Sequence, residues 1–303
     1  MVFAAILNGL LPSFLMVALG GVVRKRLAPA AWQGLDRLNF EILFPALIFA
    51  AASSRPLALS DLLAVGPAVW AILATALGLG WLTRPLGPAR FLDFAGVWQT
   101  TWRFNTALGF VAVETLSRGG AAILAVAVGL AVPVANIFAV SALSRGNALG
   151  VGETLRRILL NPFLLASLGG VAVGLSGLAI PAPVLAPIKM LANAAIPVAL
   201  ISIGATMNWG ALARLTPFSS SLVAIRLVIV PALTFTACFG FGTDPALASV
   251  LVLFAGLPTA SAAHVLASAF GADRELVATA IAQSTLIAAL TLPLWIAAIE
   301  VWL

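Results

Sequence analysis

The chain has 303 residues, of which 62% are hydrophobic and only 9% are charged. Soluble domains carry about 45–50% apolar and about 25% charged residues, so this composition excludes a soluble globular domain and indicates a polytopic membrane protein. One cysteine and one histidine exclude a disulfide framework and a zinc site.

The N-terminal segment is apolar up to Val23, with no basic start and no small-residue cleavage site. It ends at the basic run Arg24-Lys25-Arg26. This pattern is typical of a first membrane span followed by a cytoplasmic basic stop, and not of a cleaved signal peptide.

Ten apolar segments are long enough to be membrane spans, because a bilayer core of about 30 Å needs about 20 apolar residues per helix. The connections between them are short, so we expect no extramembrane domain. Numbered 1 to 10 in chain order, the predicted spans are 3–23, 36–54, 62–82, 91–116, 119–142, 158–178, 185–207, 218–241, 246–270 and 276–302.

Basic residues favour one orientation of these spans. The even-numbered connections carry only Arg55, Arg118 and Lys189. Cytoplasmic loops are enriched in basic residues, so the odd-numbered connections are predicted to be cytoplasmic and both termini periplasmic. This distribution also explains the formal net charge of +6 without nucleic-acid binding. The basic residues of the odd-numbered connections are Arg24, Lys25, Arg26, Arg37, Arg84, Arg90, Arg145, Arg156, Arg157, Arg214 and Arg274.

The two halves of the chain resemble each other. SFLMVALGGVV at 13–23 aligns with PFLLASLGGVA at 162–172, and Pro45 in span 2 matches Pro197 in span 7 at nearly the same offset. Chance matching of small apolar residues is the alternative explanation.

These matches predict two five-span repeats, 1–142 and 158–303, joined by a cytoplasmic loop at 143–157. Five is odd, so the repeats insert in opposite directions, and inverted repeats place a substrate site near mid-membrane where the halves meet. The same offset places Asn105 of span 4 against Leu257 of span 9.

Span 9 contains a predicted break. Pro258 lies near its centre and removes one backbone hydrogen bond, and Gly256 precedes it by two residues. Thr259, Ser261 and His264 follow at the same depth. Irregular backbone survives in a bilayer only where it faces protein or a water-filled cavity, so these residues are candidate substrate ligands. A proline-kinked packing helix is the alternative.

Span 4 is the second polar site, with its polar residues close together at Gln99, Thr100, Thr101, Arg103, Asn105 and Thr106. A charge at the bilayer centre costs about 2.5–3.5 kcal/mol on insertion scales, so Arg103 is expected to face the protein interior or a cavity. It pairs either with Glu41 of span 2 or with a substrate anion. Gly109 is a candidate for breaking this helix.

Two further ionisable groups within spans are interpreted separately. Arg226 of span 8 lies nine residues into its helix and is expected to extend toward an interface. His264 is either a hydrogen-bonded core residue or a functional group, and it serves with Glu41 as a candidate proton carrier.

Four stretches resemble the auxin efflux carrier family, which belongs to the superfamily that includes bile-acid:sodium symporters. The likeness extends over nearly the whole chain and is most specific in the second half. The stretches are LNFEILFPALIF (38–49), ILLNPFLLASLGGVAVGLSGLAIP (158–181), IPVALISIGATM (196–207) and GLPTASAAHVLASAFGADRELVATAIAQSTLIAALTLPLW (256–295).

The resemblance implies an all-α protein of ten transmembrane helices in two inverted five-helix repeats, with an elevator-like mechanism. Helices 1, 2, 6 and 7 would be the scaffold, and helices 3–5 and 8–10 the transport domain. Broken helices 4 and 9 would cross beside the substrate, with Asn105 and Pro258 at the family positions. Val111 stands where the family usually has a proline, so the sequence leaves open how sharply helix 4 breaks. Arg103 is not part of the general pattern.

The short 143–157 connection resembles bacterial members, which are often assigned to malonate or other small carboxylates, and it suggests a bacterial inner membrane. The predicted function is therefore secondary transport of a small carboxylate. Half-helix N-termini, each with about +0.5 charge, and Arg103 or His264 would attract the anion. The sequence contains no Walker-type loop for ATP.

A passive channel and an intramembrane enzyme are the alternatives from other classes. Ser261 and His264 are three residues apart, but no glycine frame surrounds the serine. No cofactor and no nucleic-acid partner is expected. The coupling ion is open between a proton and sodium, which broken-helix carbonyls with Asn105 and Thr259 could hold, and a homodimer is also open.

Overall fold

The computed structural model describes residues 2–53, 59–206, 209–210 and 215–303. Arg55 and Arg214, used above for orientation, and the ends of spans 2 and 7 lie outside these ranges. All regular structure in the described part is helical. The helices are α1 Val2–Val23, α2 Pro29–Leu38, α3 Phe44–Ala52, α4 Leu59–Trp81, α5 Phe91–Trp98, α6 Thr106–Val113, α7 Ala121–Gly146, α8 Val151–Leu159, α9 Pro162–Ser176, α10 Ala182–Thr206, α11 Pro217–Ala224, α12 Val230–Gly240, α13 Pro245–Gly256, α14 Ala262–Phe270 and α15 Arg274–Trp302.

Short π-helical turns join two pairs of these helices directly, with no loop between them. Asn39–Leu43 joins α2 to α3, and Ile225–Ile229 joins α11 to α12. Single 3₁₀ turns lie at Arg84–Leu86 and at Gln99–Thr101. Spans 2 and 8 are therefore continuous helical rods with one widened turn each.

Several helix starts follow directly from sequence. Asn161, Asp244 and Asp273 accept hydrogen bonds from backbone N–H groups of the first turns of α9, α13 and α15. Proline follows the cap at Pro162 and Pro245, where its missing N–H costs nothing. Polar caps followed by proline thus mark the edges of the apolar segments.

The architecture is that of a multi-span helical membrane protein. In the described part, five helices are long and apolar enough to cross a membrane. A sixth candidate is the pair α8 and α9, which are bent by 51° at their junction. The ten-span inverted repeat stays a prediction. The five helices are Leu63–Trp81, Ile123–Gly146, Ala182–Thr206, Pro217–Gly240 and Arg274–Trp302.

The predicted loop at 143–157 is largely helical. Helix α7 continues to Gly146, and α8 occupies Val151–Leu159. Helix α8 has a polar face on which Glu153 pairs with Arg156 and Arg157. Because the polar face of such a helix can remain solvated while its apolar face packs, hydropathy alone did not distinguish this segment from a loop.

The helices pack in two groups, called group A and group B below. Group A contains α1, α2, α3, α9 and α10, and group B contains α4 to α7 and α11 to α15, while α8 contacts α7 and α9 and links the groups. The most extensive packing is within groups, as for α1 with α10 and α4 with α7. The groups also meet, for example where α2 contacts α14 and α7 contacts α9.

Helices α1 and α10 approach backbone to backbone. Gly20 faces the Ile201 carbonyl, and Gly204 faces the Val17 carbonyl, so a Cβ at either glycine would overlap the opposing oxygen. Small residues permit this kind of close contact between membrane helices.

We expect Gly204→Ala to lower the melting temperature in detergent, because the opposing atoms are backbone and only separation of the helices makes room. Overpacking of this kind costs about 1–3 kcal/mol. The control is Gly78→Ala in α4, where an added Cβ meets no atom within 4 Å. Equal melting temperatures for the two variants would contradict the close approach.

Candidate functional site

Both helices that the sequence marked as candidates for breaking are broken. Helix α5 ends at Trp98, a 3₁₀ turn follows, and α6 begins only at Thr106. Helix α13 ends at Gly256, and α14 begins at Ala262. Span 4 is thus interrupted even though Val111 stands at the usual proline position.

The two breaks contact each other through their backbones. The Asn105 N–H donates to the Pro258 carbonyl at 2.8 Å. The Gln99 side-chain amide donates to the Ala263 carbonyl at 3.1 Å, so a side chain of one break also contacts the helix after the other.

Different residues cause the two interruptions. Leu257, which precedes the proline, is extended at φ −65° and ψ 140°, as expected because proline disfavours the helical region for its neighbour. In span 4, Asn105 caps α6 by accepting a hydrogen bond from Leu108 N–H at 3.1 Å. Gly109 was expected to help the break, but it lies inside α6. A Cβ there would be 2.9 Å from the Leu257 side chain.

A cavity of about 560 Å³ lies beside the two breaks. Its walls are mostly apolar and come from α1, α3, α7, α10, α15 and the broken segments. Arg103 is the one charged side chain among the lining residues of the described chain. The polar side chains that line it are Arg103, Asn105, Thr106, Asn136, Trp209, Thr259, Ser261 and Thr285.

Five of the candidate substrate ligands therefore line one cavity: Arg103, Asn105, Thr106, Thr259 and Ser261. Pro258 contributes the carbonyl that joins the breaks. His264 and Glu41 do not line it, and their surroundings are described below.

Arg103 is buried, with 5% of its surface exposed, and its partners are neutral. Its Nε donates to Gln99 Oε1 at 2.8 Å, and Nη2 donates to Asn136 Oδ1 at 3.0 Å. The pairing with Glu41 is wrong, because Glu41 accepts from the exposed Arg37 at 2.8 Å one helical turn away. Local i,i+4 spacing favoured that surface pair over a distant buried one.

Asn136 was missed at the level of sequence. It lies in α7, is 1% exposed, and its Nδ2 has no hydrogen-bond partner in the part of the chain that the structure describes. The Thr259 hydroxyl is likewise buried and without a partner there. Polar residues within an apolar span were the reason for choosing span 4 as a candidate site. The same criterion, applied to the single asparagine of span 5, would have identified Asn136.

The first turn of α14 also faces the cavity. Ser261 and Ala262 line it, and Ser261 makes no side-chain capping hydrogen bond to the helix. The N–H groups of Ala263 and His264 donate to the Ala260 and Ser261 carbonyls, so this helix start contributes the positive end of its dipole, about half a charge, beside Arg103. The site combines a guanidinium, unpartnered polar groups and a helix N-terminus.

His264 belongs to a separate buried cluster with Asp36. The imidazole is 0% exposed, and its Nε2 lies 3.3 Å from Asp36 Oδ2. Arg274 Nη2 lies 2.5 Å from the same oxygen, and the Ser202 hydroxyl donates to Asp36 Oδ1 at 2.5 Å. Sequence reasoning missed Asp36 because it lies at the edge of span 2, where charged residues are ordinary.

Arg226 does not reach an interface, contrary to expectation. It is 1% exposed, and its Nη2 donates to the Phe254 carbonyl at 3.4 Å, in the last turn of α13. The carbonyls of this turn lose their helical partners where the helix breaks, and a cation near them is favourable.

Comparison with known proteins places the chain in a family. The profile of the family described as "Membrane transport protein" matches residues 149–296. A relative from Rhizobium meliloti, named "Putative malonate transporter", is 30% identical over 317 aligned positions that cover 95% of this chain and 94% of the relative. The chain belongs to the auxin efflux carrier family of membrane transport proteins.

A second relative supports this membership. It is an "Uncharacterized transporter" from Methanothermobacter thermautotrophicus, 33% identical over 142 positions and covering 46% of each chain. The auxin efflux carrier relatives are transporters, so this chain is a multi-pass membrane transporter and not an enzyme.

Proposed function

We propose that this transporter carries a small organic anion with a carboxylate head group across a bacterial inner membrane by alternating access. The observation that carries the proposal is the buried Arg103 on the cavity wall, held by two neutral amide oxygens. Within the described ranges, every ion pair involves other residues. The missing counter-charge would be the substrate.

Energetics favour this reading of Arg103. An uncompensated charge in the interior costs several kcal/mol. The buried Arg226 faces the carbonyls at the end of α13, whereas Arg103 lines a cavity in which an anion could compensate it. Gln99 and Asn136 occupy Nε and Nη2 and fix the plane of the guanidinium. Its remaining donors suit a carboxylate, which arginine binds with directional, charge-assisted hydrogen bonds.

The other polar groups of the cavity complement a carboxylate. Asn136 Nδ2 and the Thr259 hydroxyl are buried donors without partners in the described chain, and both residues line the cavity with Arg103. The start of α14 adds the positive end of the helix dipole. The apolar remainder of the wall would contact the carbon skeleton of the substrate, and malonate is the first probe because of the Rhizobium meliloti relative's name.

The helix groups suggest how the site is exposed alternately. Group A corresponds to the scaffold helices 1, 2, 6 and 7 of the predicted ten-helix inverted repeat, and group B to the transport helices. Both breaks belong to group B, whereas the cavity is also lined by α1, α3 and α10 of group A. An elevator-like movement of group B along group A would carry the bound anion past a stationary wall.

Counterflow in proteoliposomes tests this function against a passive channel. Vesicles loaded with unlabelled malonate are diluted into trace labelled malonate, and other small mono- and dicarboxylates are added as competitors. A carrier gives a transient accumulation of label above equilibrium, because exchange is coupled to one site. Simple equilibration of malonate would identify a channel, and no flux of any carboxylate would overturn the proposal.

We expect Asn136→Leu to weaken carboxylate binding by about 10-fold or more, because hydrogen bonds to charged groups contribute about 1.5–3 kcal/mol. The change removes one anchor of Arg103 and one free donor. Binding is measured by isothermal titration in detergent, with Asn193→Leu as control, an exposed asparagine of α10 away from the cavity. Equal affinities in the two variants would remove Asn136 from the site.

A further inference from the structure

The buried cluster of Asp36, His264 and Arg274 connects the two helix groups. Asp36 lies on α2 and its partner Ser202 on α10, both in group A. His264 lies on α14 and Arg274 opens α15, both in group B. Asp36 and His264 are 1% and 0% exposed, so these polar groups meet inside the protein at the boundary between the groups.

The cluster is also close to the substrate cavity along one helix. Ser261 and Ala262 at the start of α14 line the cavity, and His264 follows within the same turn. The axial rise from Ser261 to His264 is about 4.5 Å at 1.5 Å per residue. A charge change at His264 is therefore felt at the helix end that would contact the anion.

Other charged groups near the cluster face elsewhere. Arg37 and Glu41 pair with each other on the exposed side of the α2 region. On α15, Asp273 caps the helix and Glu275 is exposed, while Arg274 also donates to the Thr206 hydroxyl of α10 at 3.3 Å. At the start of α5, which packs against α14, Arg90 pairs with Asp93, and Asp93 accepts from the Asp273 N–H. The charged or titratable side chains that contact one another within the cluster are Asp36, His264 and Arg274.

The net charge of the cluster depends on whether His264 carries a second ring proton. The Asp36 carboxylate and the Arg274 guanidinium compensate each other, so the cluster is neutral when the imidazole is neutral. Neither ring nitrogen of His264 makes a hydrogen bond within the described part, although Nε2 lies beside the carboxylate. A proton on the ring produces one net positive charge in a buried site, and an anion at the start of α14 would compensate it.

We infer that His264, seated between Asp36 and the first turn of α14, is the proton-binding site that couples proton movement to carboxylate transport. The imidazole gains one proton from water on one side of the membrane and loses it on the other. This inference rests on the proposed function.

The test compares two transport modes in the same proteoliposomes with labelled malonate. Counterflow requires binding and movement, whereas accumulation driven by an imposed pH gradient also requires the coupled proton. We expect wild type to perform both. His264→Gln keeps a polar side chain against Asp36 but cannot be protonated in this range, so it should retain counterflow and lose at least 10-fold of the gradient-driven accumulation.

A pair of carboxylate variants locates the site. Asp36→Asn removes the carboxylate that faces His264 and should also reduce gradient-driven accumulation, whereas Glu41→Gln changes an exposed carboxylate on the adjoining turn and should not. Because Asp36→Asn leaves Arg274 without its partner and can lower stability, a second measurement is made on His264→Gln. In this measurement, malonate is added to purified protein in weak buffer, and a pH-indicator dye reports proton uptake. We expect about one proton taken up per malonate bound in wild type and none in His264→Gln.

The outcomes separate the inference from the function on which it rests. Absence of wild-type counterflow with every carboxylate would overturn the proposed function, and the coupling role with it. Intact wild-type counterflow without any response to the pH gradient would overturn proton coupling alone. Wild-type accumulation and proton uptake by His264→Gln, or loss of coupling in Glu41→Gln in place of Asp36→Asn, would overturn the assignment to His264.

Discussion

Replacing Arg103 with glutamine is expected to weaken malonate binding by at least about 30-fold, because truncating one partner of a buried charge pair costs about 2–5 kcal/mol or more. The melting temperature should change little, since Arg103 has neutral partners and its removal leaves no buried acid uncompensated. Isothermal titration and thermal unfolding on the same samples measure both effects.

Two variants control this experiment. Arg103→Lys keeps the charge but lacks the planar fork of donors, so its affinity should lie between those of wild type and Arg103→Gln. Arg226→Gln removes the other deeply buried guanidinium, which lies outside the cavity and contacts the end of α13, so it should lower stability more than affinity. A folded Arg103→Gln protein that binds malonate as wild type does would defeat the anion-site proposal.

Pro258→Ala is expected to abolish most counterflow while the protein still inserts and folds. Alanine restores an N–H and favours a continued helix by about 3 kcal/mol relative to proline. Helix α13 would then extend beyond Gly256, and the carbonyl at position 258 would leave the Asn105 N–H with which it bonds at 2.8 Å. The cavity side chain of Thr259 would move with it.

The control for this change is Pro293→Ala in α15. Pro293 lies inside a continuous helix and away from the cavity, so its removal should leave counterflow near the wild-type rate. Circular dichroism and size-exclusion profiles check that both variants fold. Counterflow at the wild-type rate from Pro258→Ala would mean that tertiary contacts hold the break without the proline.

Local chemistry was sufficient to predict the helical membrane architecture and the interruption at Pro258. For span 4 the sequence left the sharpness of the break open and indicated Gly109, whereas Asn105 caps the helix after the break. The apolar segments, the proline at 258 and the capping asparagine at 105 act through their own backbone neighbourhood, so their effects can be read along the chain. The same locality explains why the helix α8 within the predicted connection was not foreseen, since a short amphipathic helix has no long apolar run. The orientation and the inverted repeat stay predictions.

Only the tertiary structure decided which polar groups meet. Sequence reasoning found Arg103 but considered Glu41 as its partner, whereas packing of α5 against α7 supplies Asn136. It found His264 but not Asp36, which lies in the other half of the chain. A charged residue within an apolar span needs polar or charged partners, and this requirement can be inferred from the sequence. Which distant side chain provides it depends on the rotation and register of each helix against its neighbours, and those are set by packing.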